Sequence, residues 1–103
     1  MKKAHVIWSA EALADLETIY DFIAEKSQQA AQRIINDMLA RTKQLESFPE
    51  SGASQETVKS KSKEYRYLVE GNYKIIYSYQ PEVQAVYVEI IFDTRYDPDA
   101  LKV

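Results

Sequence analysis

Between residues 10 and 26 the apolar side chains fall at Ala12, Leu13, Leu16, Ile19, Tyr20 and Ile23. That three-and-four spacing is an amphipathic helix. Glu11, Asp15, Glu17, Asp21 and Glu25 fill its other side. Ser9 stands just ahead, with a hydroxyl able to accept from an early backbone N–H. A second run over residues 28–47 puts Ala31, Ile34, Ile35, Met38, Leu39, Thr42, Leu45 and Phe48 on its buried side. Ser27 is its cap and Pro49 its stop, because proline disfavours helix in the residue before it. The link between the two runs is short, so the helices should lie antiparallel as a hairpin.

Strand patterns occupy the remainder. A short one, residues 5–8, precedes the first helix, and three more follow a long polar stretch at residues 49–63: residues 64–69, 73–79 and 83–92. Gly71–Asn72 suits a tight hairpin between the first two of these. Pro81–Glu82 suggests a four-residue loop before the last. Centring the turns on these dipeptides sets Ile75 opposite Leu68 and Val88, and Tyr77 opposite Arg66 and Val86. One face then reads Leu68, Tyr73, Ile75, Tyr77, Val86, Val88, Ile90 and Phe92, and this face packs on the helices. The expected fold is α+β: an N-terminal strand and an antiparallel helical hairpin on one face of a mostly antiparallel sheet of about four strands.

The opposite face carries Tyr65, Tyr67, Val69, Lys74, Ile76, Ser78, Ala85, Tyr87 and Glu89. Five of the fifteen residues in YRYLVEGNYKIIYSY are tyrosine. A contiguous aromatic patch of this kind marks an interaction surface, which makes Tyr65, Tyr67, Ile76 and Tyr87 candidate partner-binding residues. In this register Lys74 faces Glu89 across the strands as an ion pair.

Composition narrows the chemistry. The 103 residues fit one domain spanning 1–103. There is no cysteine and a single histidine, His5. Disulfides, thiolate metal sites and a histidine cluster within one chain are thereby excluded, and no cofactor or metal is expected. An intracellular, cytoplasmic setting follows as the expectation. No stretch approaches the roughly 18 apolar residues of a membrane span. The formal charge of −3 does not favour nucleic-acid binding. Lys59, Lys61 and Lys63 are nevertheless bunched in the long loop, either to meet a phosphate or an acidic partner or as a solvated loop. Trp8 and Phe48 are expected in the core, with His5 structural.

Taken in order, WSAEALADLETIYDFIAEKS, LESFPESG, YRYLVEGNYKIIYSY and VYVEIIFDTRYDP resemble the RelE/ParE superfamily of bacterial toxins from type II toxin–antitoxin (plasmid stabilisation) systems. The resemblance covers nearly the whole chain. It implies a helical hairpin on an antiparallel sheet, with the first strand joining at an edge, and a cognate antitoxin as partner in a toxin–antitoxin hetero-oligomer; a homodimer is left open.

It also implies growth inhibition by one of two routes. RelE-like members cut mRNA in the ribosome with basic sheet residues, and ParE-like members poison DNA gyrase. Lys74 stands at a RelE-like sheet arginine position and Arg95 at another basic one, so these two are the catalytic candidates if the chain is RelE-like. The paired lysines of that branch are replaced by Tyr65–Arg66–Tyr67, and its C-terminal tyrosine position holds Leu101. Beyond a tyrosine (Tyr87 or Tyr96) or Glu89, no side chain offers itself as acid or base. The resemblance is therefore closer to the ParE-like branch, a binding protein rather than an enzyme. The acidic balance also fits a non-toxic protein-binding module of the same fold. Arg66 faces the core beside Tyr77, where a structural role is expected, and Arg95 is either functional or held in its turn by Asp93 or Asp97.

Overall fold

The computed structural model describes residues 3–54 and 64–95. Strand β1 (His5–Trp8) leads into helix α1 (Ala10–Ala24) and helix α2 (Gln28–Lys43), which ends in a 3-10 turn at Gln44–Glu46. Four further strands follow: β2 (Ala53–Ser54), β3 (Tyr65–Glu70), β4 (Tyr73–Gln80) and β5 (Ala85–Asp93). Both helices start on the predicted serines. The Ser9 hydroxyl accepts from the Ala12 N–H at 2.9 Å and that of Ser27 from the Ala30 N–H at 3.1 Å.

The strands form one five-stranded mixed sheet in the order β1-β5-β4-β3-β2. β1 runs parallel to β5 and the other neighbours are antiparallel. The α+β expectation holds, with a fifth strand, β2, drawn from the start of the long loop. Parallel pairing follows from topology: β1 and β5 sit side by side but are joined through the helices and the whole meander, not by a hairpin.

The β3–β4 register is as predicted, with Leu68 opposite Ile75 and Arg66 opposite Tyr77. Gly71 takes φ +60 in that turn, a left-handed conformation that glycine adopts without a Cβ penalty. The β4–β5 register differs. Its loop has the expected four residues, but they run from Pro81 to Gln84 and so are centred on Glu82–Val83, one residue later than Pro81–Glu82; Tyr77 therefore meets Val88 and not Val86. That shift of two residues keeps the faces. A β-bulge then places Glu89 as an extra residue, and beyond it Ile75 meets Ile91 and Lys74 meets Phe92. One added residue inverts the alternation. Ile91 therefore replaces the expected Ile90 and Phe92 on the helix side, and the expected Lys74–Glu89 pairing is not formed.

The core lies between helices and sheet: Ala12, Met38, Leu45, Leu68, Tyr73, Ile75, Tyr77, Val86, Val88 and Ile91 are buried, with Trp8, Leu16, Ile19 and Ile23 packed against them. Leu13, Leu39 and Phe48, expected inside, are 52%, 44% and 66% exposed. Leu13 and Leu39 each sit one position past the line that meets the sheet, about 100° further round the helix. Phe48 follows the 3-10 turn, where helical phase no longer applies.

Candidate functional site

Three features ring the sheet: an aromatic face away from the helices, a latch at the root of the long loop, and a groove between α1 and β5.

On the aromatic face, alternation along β3, β4 and β5 brings Tyr65, Ser78 and Tyr87 into one cross-strand row. Tyr67, Ile76 and Ile90 form the next, and Val69, Lys74 and Phe92 the third. Ile76 and Ser78 are only 1% exposed, each lying on the central strand β4 with neighbours on both β3 and β5. The three tyrosines are half-buried and border solvent. The Lys74 ammonium lies 4.1 Å from the centre of the Tyr67 ring, a cation–π contact. The Glu89 carboxylate accepts from the Ser78 hydroxyl at 2.9 Å. Glu89 thus lies on the face that strand alternation assigned to it, with Ser78 as its partner in place of the expected Lys74.

At the latch, the Arg66 guanidinium donates to the carbonyls of Glu50 at 3.2 Å and Gly52 at 2.9 Å. The Glu50 and Glu64 carboxylates lie 3.8 Å away. The buried Tyr77 hydroxyl accepts from the Gly52 N–H at 2.9 Å. Burial raises the Tyr77 phenol above its ordinary value, while the Gly52 hydrogen bond and the Arg66 charge pull it the other way. Arg66 thus has the structural role expected for it, through carbonyls and not through a ring. The latch fixes the root of the loop whose lysines, Lys59, Lys61 and Lys63, lie outside the described residues, as do Tyr96, Asp97 and Leu101.

At the other end of the sheet, Arg95 chelates Asp93, with contacts of 3.1 and 2.8 Å. This hydrogen-bonded guanidinium holds the Asp93 carboxyl below its ordinary value. Arg95 is 54% exposed at its side chain, so its outer face is accessible. Lys74, on the strand paired with this end of β5, is engaged with Tyr67. The sheet brings the two catalytic candidates to one end, each already bound to a neighbour.

The groove opens where β1 stops short. β1 covers β5 only from Ala85 to Val88. Beyond it α1 supplies the missing partners: the Ser9 hydroxyl donates to the Glu89 carbonyl at 2.8 Å, and the Asp15 carboxylate accepts from the Ile91 N–H at 2.9 Å. Between these elements lies a cavity of about 410 Å³ lined chiefly by Ile19, Phe22, Ile91 and Phe92. Neither Asp15 nor Phe22 was a sequence candidate. Asp15 was grouped with the solvated acids, and the only signal in Phe22 is a phenylalanine off the apolar stripe. Among the described residues no cluster of three or more His, Cys, Asp or Glu side chains could hold a metal. No described helix is long and apolar enough to cross a membrane.

Comparison with known proteins places this architecture. A search of curated proteins gave no match. Among solved structures, the chromosomal ParDE toxin–antitoxin system from P. aeruginosa superposes with a TM-score of 0.68 at 17% identity, covering 88% of this chain and 96% of that one. The archaeal RelE–RelB complex from Pyrococcus horikoshii OT3 superposes with a TM-score of 0.63 at 12% identity, covering 88% and 94%. At these identities the likeness is one of fold. The sequence profile described as the ParE toxin of the type II toxin–antitoxin system parDE matches residues 6–97, nearly the full chain. With the helical hairpin on its mixed sheet, that match identifies the chain as a member of the ParE toxin family of type II toxin–antitoxin systems.

Proposed function

We propose that this chain inhibits growth by binding a bacterial protein target of the gyrase kind in the cytoplasm, and that a cognate antitoxin neutralises it. The observation that carries this reading is the character of the face away from the helices. Tyrosines, Ile90 and Phe92 dominate it, and its one cation on the paired strands, Lys74, is spent on Tyr67. A phosphate-cleaving site needs cations aimed at the phosphate and a free acid and base, whereas an aromatic face with few charges suits a protein surface.

Induced expression in a bacterial host tests it. Growth should stop, supercoiling of a reporter plasmid should change, and co-expression of the neighbouring small gene should restore growth. Tyr67→Asp should relieve toxicity, while Lys74→Met should leave most of it. Unimpaired growth at high expression would refute the proposal.

The second reading is a ribosome-dependent mRNA endoribonuclease. The observation favouring it is that Lys74 and Arg95 leave the same end of the sheet. It requires codon-positioned cuts in primer extension that vanish in Lys74→Ala or Arg95→Ala.

A further inference from the structure

We propose that this chain forms a two-fold homodimer by pairing its β1 strand antiparallel with β1 of a second copy. The proposal stands independently of the target and antitoxin readings above.

The open edge is β1. It is the last strand of the sheet, paired with β5 on one side only. Edge strands are commonly blunted by lysine, proline, a bulge or a very short length. The opposite edge, β2, is two residues long, and Arg66 ties its root through the Gly52 carbonyl. β1 has the sequence HVIW, without lysine or proline, and no register shift interrupts its ladder. A cleft of about 550 Å³ is lined by Lys3, Ala4, His5, Val6, Ile7 and Glu46, so solvent reaches this strand.

The register follows from the backbone. The His5 N–H donates to the Gln84 carbonyl at 2.8 Å and the Ser9 N–H to the Val88 carbonyl at 3.0 Å. In parallel pairing every second residue points its N–H and C=O at the neighbouring strand. His5, Ile7 and Ser9 therefore face β5, and Val6 and Trp8 turn their backbone groups outward. This outer ladder has a stop on each side. The Ala4 N–H is already bonded to the Glu46 carbonyl at 2.8 Å, and Ala10 opens α1. Both stops lie three residues from Ile7. An antiparallel copy centred on Ile7 sets Val6 opposite Trp8 of the second copy and Trp8 opposite its Val6, each pair exchanging both backbone bonds. A centre on Val6 would need the Ala4 N–H, and one on Trp8 would need Ala10 in an extended strand.

Side chains favour the same centre. Val6 and Trp8 pack on the core, so alternation puts Ile7 on the other face, beside Tyr87, where it is 43% exposed. On the axis each Ile7 meets Ile7 of the second copy, and both leave water. Lys3 and Glu11, both exposed, stand four residues on either side of Ile7. Antiparallel pairing brings Lys3 of each chain toward Glu11 of the other, with opposite charges at both ends of the contact. The two aromatic faces then lie on one side of a continuous sheet.

A contact this short falls below the roughly 1,200 Å² of a standard interface, so a Kd on the order of 10–100 μM is expected. Sedimentation velocity of the full chain from about 5 to 500 μM, which brackets that Kd, should show monomer giving way to dimer. Ile7→Lys sets like charges on the axis and should weaken association at least about tenfold. Lys3→Glu should weaken it severalfold, and adding Glu11→Lys should restore it.

Amide exchange followed by NMR needs no variant. Exchange at Val6 and Trp8 should slow as wild-type concentration rises, while that at His5, already bonded to Gln84, should change far less. A chain that stays monomeric across the range overturns the proposal. So does a dimer indifferent to Ile7→Lys, a charge swap that fails to restore association, or exchange at Val6 and Trp8 that ignores concentration.

Discussion

The Asp15 carboxylate, on α1, accepts a hydrogen bond from the Ile91 backbone N–H, on β5, at 2.9 Å. A helix side chain thus completes a strand edge that β1 is too short to cover. Exposed strand edges invite unwanted pairing, and this contact closes one. Asp15→Ala should cost about 1–3 kcal/mol, because a partly buried N–H loses its acceptor. Asp15→Asn, which keeps a carbonyl oxygen, should cost less. Urea denaturation gives the stabilities, and amide exchange at Ile91 should accelerate in the alanine variant.

Gly52 sits where a side chain cannot. A Cβ there would lie 2.7 Å from both the Tyr67 carbonyl oxygen and the Tyr77 hydroxyl. Gly52→Ala should therefore destabilise by about 1–3 kcal/mol, the range for overpacking. The Tyr77 ring carbon Cε1 lies 2.8 Å away as well, so Tyr77→Phe removes one of three obstacles, the hydroxyl. The double variant should be less destabilised than the two single costs added together, a coupling that a thermodynamic cycle measures.

Tyr77 also predicts behaviour in alkali. Burial raises its phenol in the folded chain, so the folded state favours the neutral form. That contribution to stability is fully present below the unfolded value, about 10, and is lost as pH rises through the higher folded value. Denaturation midpoints should fall in this range for wild type, and Tyr77→Phe should remove that component of the fall.

Asp93 has the opposite sign. Its hydrogen-bonded partner Arg95 lowers its carboxyl in the folded chain. The associated stability is present above the unfolded value, about 3.9, and is lost as pH falls through the lower folded value. In Arg95→Met the Asp93 titration, followed by NMR, should move up toward the ordinary value. No movement would mean that the chelate seen between Arg95 and Asp93 does not persist in solution.

Part of the candidate site was legible before any coordinates. Tyr65, Tyr67 and Lys74 lie beside a two-residue turn at Gly71–Asn72, so their common face follows from alternation counted outward from that turn. Glu89 also kept its assigned face, since the two-residue shift at the β4–β5 loop preserves parity, but Phe92 lies past the bulge, whose extra residue moved it to the other face. Nothing in VYVEIIFD marks where an extra residue enters, because the bulge accommodates β5 to two neighbours at once, β4 and the Ser9 end of β1.

The chain's local chemistry was enough to determine both helices, their serine caps, the hairpin turn and the layer to which Leu68, Ile75 and Tyr77 belong. Each depends on residues a few positions apart, where backbone geometry dictates the spacing. Only the tertiary structure decided that Asp15 would reach Ile91, 76 positions away, that Glu89 would be the bulged residue, and that Phe22 would border a groove while Phe48 faced solvent. Those outcomes depend on where the helical layer comes to rest on the sheet. Many side chains pulling together set that position, and no short stretch of sequence encodes it.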